Sequence, residues 1–234
     1  MSTGSAQATR DARLAFVLGG SLLAASGVID IVQALIPFAA IPNVRALGAT
    51  YYPLALVSAG LFAAALIIFA WGIRREGSVV ARRAAGVVSL MVLGLWGVVG
   101  MLLFPPLFAG AGGETAAAYL LLFAWFLAQL VVAVLAVVAG VVIVRARVVP
   151  RGWRWVPLAA ILLGVASGLL NSTGLFGVFA FPDLPFGILA WADAATPAIL
   201  GILAIGLGLA AGRGPEEPTA QTYLVPPQPS EPVV

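Results

Sequence analysis

The chain has no cysteine, no histidine and no lysine, and only 9% of its 234 residues are charged. Each absence removes a class of chemistry. Without cysteine there is no disulfide and no thiol chemistry. Without histidine the chain lacks the commonest metal ligand and the usual general base. A soluble domain carries about 25% charged residues, so too little polar surface exists to cover a water-soluble globule. No residue pattern implies a cofactor or a metal.

What is present is apolar: 62% of the residues are hydrophobic and the mean hydropathy is +1.10. Six runs reach the ~20 residues needed to cross hydrocarbon. They are Leu14–Phe38, Pro53–Ile73, Ala84–Phe108, Ala116–Val144, Pro157–Phe181 and Phe186–Ala211. Only helices satisfy their own backbone in lipid over runs like these. The reading is all-α: an integral membrane bundle of six transmembrane helices. Residues 1–13 form a short polar leading segment, 14–211 the membrane domain and 212–234 a proline-rich tail. The first run is too long for a signal peptide and is read as a retained helix. Thr9 or Asp11 is expected to cap it. Pro53 and Pro157 are expected to open the second and fifth helices, where a missing N–H costs nothing. Gly110 to Thr115 is expected to form the turn and cap before the fourth. The tail, with Pro226-Pro-Gln-Pro229, has too little apolar content to build a core and is expected to be disordered.

All 12 basic residues are arginine. With the N-terminus in the cytoplasm, eleven fall in inside segments and only Arg45 outside. Basic residues in short loops stay inside, so both termini are expected to be cytoplasmic, in a multi-pass protein of the cell membrane. Trp71, Trp153 and Trp155 then lie at the inner interface, and Tyr51, Tyr52, Tyr119, Phe181 and Phe186 at the outer one, as aromatic belts require. The implied partner is the lipid bilayer. The net charge of +3 resides in short loops and implies no nucleic acid.

Polar residues within the runs are few, and a carboxylate inside a lipid-spanning helix must face protein or water. Ser26, Asp30, Gln33 and Pro37 share one face of the first helix through spacings of i, i+4, i+7 and i+11. Gln129 lies in the fourth helix, Asn171, Ser172 and Thr173 in the fifth, and Asp193 and Thr196 in the sixth. At 1.5 Å per residue, Asp30 and Asp193 each lie roughly 10 Å below the outer boundary. Pro197 displaces the helical bond to the Asp193 carbonyl. The expected site is a polar cluster of Asp30, Gln33, Asn171, Asp193 and Thr196 in the outer half of the bundle.

Three functions compete for that cluster. A structural or accessory protein would use Asp30 as a hydrogen-bonded clamp to Asn171 or Asp193. A proton-linked or small-solute transporter would exchange a proton at Asp30 and Asp193. An intramembrane enzyme would need the two as a dyad about 3 Å apart. Val-Ile-Asp30 and Trp-Ala-Asp193 do not match the Gly-rich signature of intramembrane aspartyl proteases. The sequence favours the structural or accessory reading.

Two weaker patterns remain. Ser26-Gly-Val-Ile-Asp30 echoes Ser167-Gly-Leu-Leu-Asn171, as a parallel hairpin repeat would. Gly164-Val-Ala-Ser-Gly168 and Gly208-Leu-Ala-Ala-Gly212 match GxxxG. They point first to packing within the chain and second to a protein partner or a homo-oligomer.

Overall fold

The computed structural model describes residues 3–35, 44–73, 78–81, 83–110, 115–146, 155–177 and 186–210. The proline-rich tail, the 110–115 turn apart from its two ends, Trp153 and Phe181 lie outside them. Six helices follow one another: α1 (Thr3–Leu35), α2 (Val44–Trp71), α3 (Ala84–Gly110), α4 (Thr115–Ala146), α5 (Val156–Gly177) and α6 (Phe186–Ala210). Among the described residues every extended element is a helix. Four stretches are long and apolar enough to cross a membrane: Arg10–Ala34, Tyr51–Trp71, Ala84–Leu103 and Tyr119–Ala146. These are the helices of a membrane protein. Shorter apolar stretches, Val156–Leu169 and Ala194–Ala210, form much of α5 and α6.

Two expected helix starts are corrected. α1 begins at Thr3, so neither Thr9 nor Asp11 caps it, and Asp11 is buried within the helix. α2 begins at Val44, which places Pro53 inside the helix rather than at its opening. The ring there displaces the bond to the carbonyl four residues earlier. In both cases the apolar run marks the membrane-crossing part, and the helix extends past it into less apolar sequence. Pro157 does lie in the first turn of α5.

Each helix packs against the next, and α6 closes back on α1 through the most extensive contact of all, so the six form a ring. Small residues permit that closure. A Cβ added to Gly27 would overlap the backbone and Cβ of Ala198, and one on Gly201 would overlap the backbone of Ala24. Gly20 lies against Gly201 and Ile205, and Gly208 against Arg13, Phe16 and Val17. The antiparallel register therefore holds over about four turns. Gly164 of α5 meets Thr196 of α6, so this glycine and Gly208 both serve packing within the chain.

The burial pattern is compatible with a bundle surrounded by hydrocarbon. Val88, Val92, Leu95, Val99 and Leu102 form an exposed stripe down α3, while Ser26, Ser58, Ser89 and Ser167 are buried. Small hydroxyl residues between helices allow close approach and hydrogen bonding. Leucine and valine facing outward cost nothing when the surroundings are hydrocarbon.

The connection from α2 to α3 folds back into the bundle. Gly72 adopts φ 71° and donates its N–H to the Ile68 carbonyl at 2.7 Å. Val79 N–H donates to the Phe69 carbonyl at 3.0 Å, and Ser78 Oγ donates to the Ala70 carbonyl at 2.7 Å. Three of the last four carbonyls of α2, which a helix end leaves without partners, are thereby satisfied. Val80 is completely buried, in space that Gly86 leaves open. Arg83 donates from its guanidinium to the Arg145 carbonyl at 3.4 Å, joining this hook to the end of α4.

Replacing Gly27 with leucine is expected to destabilise the fold by about 1–3 kcal/mol or more, through overpacking against α6. Gly60→Ala is the control, because no atom lies within 4 Å of the added Cβ; it should be neutral or slightly stabilising. Thermal unfolding in lipid nanodiscs measures both.

Candidate functional site: a polar lock and a central cavity

Asp30 and Gln33 lie on the face of α1 that meets α2. Ser58, one turn beyond Pro53 in α2, donates from Oγ to Asp30 Oδ1. The same hydroxyl lies 3.0 Å from Ser26 Oγ and 3.3 Å from the Ser26 carbonyl. Gln33 donates from Nε2 to the Tyr51 carbonyl at 3.1 Å. Tyr51 lies two residues before Pro53, near the start of the apolar part of α2. The i, i+4, i+7 spacing of Ser26, Asp30 and Gln33 thus produces a continuous polar seam, and its partners come from α2.

Sequence reasoning missed Ser58. Its signal was present: a single hydroxyl in the apolar stretch Leu54–Trp71. Antiparallel register makes it the natural partner of a helix-one residue at mid-depth. Asn171 and Asp193 lie within α5 and α6, but their side chains fall outside the described residues. The register places them only as backbone positions. Gly27 faces Ala198; Asp30 is three residues outward on α1 and Asp193 five residues outward on α6, about 5 and 8 Å along the helices.

Thr196 lies in the wall of a cavity. The ring lines a half-open cavity of about 680 Å³, with walls from all six helices. Phe16, Phe69 and Val79 line its end near the α2–α3 hook, and Trp125 and Met101 line the other. Among the described residues no charged side chain lines it. Its polar groups are the Gln129 amide, the Thr196 hydroxyl and the indole N–H groups of Trp96 and Trp125. Trp125 lies 3.9 Å from a Cβ position on Gly100, which fixes the α3–α4 register at this level. A volume of 680 Å³ falls within the range of small-molecule sites, about 300–1,000 Å³. Its lining disfavours ions, because an unpaired charge is costly in such surroundings.

Compared with protein-family models, curated proteins and solved structures, the chain matches none. The site is read from its geometry alone.

Ser58→Ala removes the donor to Asp30 and the link to Ser26 together. The expected cost is about 1–3 kcal/mol, since a buried polar group loses its partner. Ser58→Thr, which keeps the hydroxyl, should recover most of it. Urea or thermal unfolding of the purified protein in lipid reads the difference.

Proposed function

We propose that the chain is a six-span protein of the cell membrane with both termini in the cytoplasm, acting as a structural or accessory protein in which Asp30 is a helix clamp. The observation that carries the clamp is the linkage Ser26–Ser58–Asp30 between α1 and α2. It engages Asp30, a carboxylate in the apolar part of α1, in holding neighbouring helices.

Six spans are supported by the lengths of α5 and α6. At 22 and 25 residues they extend about 33 and 38 Å, enough to cross about 30 Å of hydrocarbon. Orientation is supported by the end at which arginines gather. Arg10, Arg13, Arg83 and Arg145 lie at the end of the ring that carries the α2–α3 hook, whereas Arg45 is in the first turn of α2 at the other. Trp71 and Trp155 are exposed at the arginine-rich end, and Tyr51, Tyr52 and Tyr119 at the opposite end, which fits interfacial belts. Cysteine-free as it is, the chain suits single-cysteine labelling. Arg45→Cys is expected to react with an impermeant maleimide from outside the cell and Arg83→Cys only after the membrane is opened. The reverse pattern would invert the orientation.

A second reading, proton-linked transport at Asp30 and Asp193, draws support from their shared height on α1 and α6. Asp30→Asn separates the two. Asparagine still accepts from Ser58, so a clamp keeps most of its stability, while Asp30→Leu loses the bond and is destabilised. Loss of a proton flux in liposomes with Asp30→Asn, at unchanged stability, would favour transport instead.

A further inference from the structure

The clamp uses the outer part of α1 and α2 and leaves the central cavity without a role. We propose that this cavity binds one neutral lipid-like molecule: a long hydrocarbon or isoprenoid body ending in a single uncharged hydroxyl or carbonyl group. The inference stands apart from the clamp reading and does not depend on it.

Four observations fix that class. First, the walls are hydrocarbon and aromatic, and among the described residues none is charged. An ion, a phosphate headgroup or a carboxylate would enter at a prohibitive desolvation cost. Second, the cavity is long. Along α4 it runs from Trp125 to Ile143, about 27 Å at 1.5 Å per residue. That shape suits a chain rather than a compact solute. Third, its polarity is confined to one region. Gln129 is one turn from the Trp125 end, and among the described residues no protein group hydrogen-bonds its amide. The opposite end, closed by Val79 of the hook with Phe16 and Phe69, is entirely apolar. A polar residue at membrane depth is costly unless it has work to do. Here it offers both a donor and an acceptor to a ligand's terminal group, with the body lying toward Val79. Fourth, the wall has a weakest joint. α4 makes the slightest of the ring's contacts with α5, and α4 exposes Leu127, Leu130, Val131 and Val134 to lipid. A molecule dissolved in the bilayer therefore has a lateral route that never crosses water.

The test uses the full chain in phosphatidylcholine nanodiscs with a diazirine-bearing hexadecanol as probe. After irradiation, mass spectrometry locates the label. The expected result is label on the cavity-facing residues of α3 and α4, from Leu93 to Met101 and from Gln129 to Ile143, competed by plain hexadecanol and not by hexadecanoate. Gln129→Leu, which keeps the bulk and removes the amide, is expected to weaken competition about three- to tenfold, as loss of one intramembrane hydrogen bond would. Ala136→Phe, which fills the middle of the cavity, should abolish cavity labelling. Label only on the lipid-facing residues Leu127 and Val131 would overturn the proposal. So would equal competition by hexadecanoate, since a site that accepts a carboxylate is not the neutral one described. Both of these outcomes are read on the wild-type chain, so neither depends on a variant folding.

Discussion

The rest of the structure depends on backbone-to-backbone contact between α1 and α6. These helices are the first and last in the chain, and nothing in their connectivity brings them together. In lipid there is no hydrophobic force to do so either, because hydrocarbon tails are as apolar as leucine. Close packing must supply the attraction, and close packing requires that side chains be nearly absent at the contact. Gly20, Ala24 and Gly27 on α1, facing Gly201 and Ala198 on α6, meet that requirement. Once the seam is shut, the four intervening helices are held in an arc whose ends are joined. An arc closed in this way surrounds a space, and the central cavity follows from the closure.

The polar interactions then act on a frame already set by packing. Ser58 bridges Ser26 and Asp30 at the next interface round the ring, and Gln33 reaches the Tyr51 carbonyl a turn further out. At the arginine-rich end, the α2–α3 hook supplies Ser78 and Val79 to carbonyls that a helix terminus leaves open. The hook therefore both completes α2 and places Val79 and Val80 against the core. One apolar end and one end with Gln129, Thr196 and two indoles give the cavity a direction, and that direction limits what it can hold.

Much of the architecture was legible in the apolar runs. The expected boundaries of the last four helices agree with the observed ones within a few residues, because each helix there coincides with a continuous apolar run. The starts of α1 and α2 were not legible. Residues such as Arg45 to Thr50 are helical without being apolar, and hydropathy detects crossings, not helices. Asp30 and Gln33 stood out because polarity is rare in such a chain. Their partners did not, because serine is only weakly polar and a carbonyl such as that of Tyr51 belongs to every residue. The α1–α6 seam was hidden for a related reason. With 27 glycines in the chain, the spacing Gly20 to Gly27 does not stand out, and only the fold shows which glycines face another backbone. The cavity is a property of closure and cannot be read from any one helix.

Ring closure is tested most directly by cross-linking α1 to α6 in the membrane. Val28 and Ile199 flank the Gly27–Ala198 contact and are exposed. Cysteines at both, in a chain that has none of its own, should be joined within one molecule by a short bifunctional maleimide. The pair Val28→Cys with Leu127→Cys on α4 should remain unlinked. Efficient joining of 28 to 199 with none of 28 to 127 is the result the ring predicts. Linking of 28 to 127, or joining of 28 and 199 only between two separate chains, would contradict it.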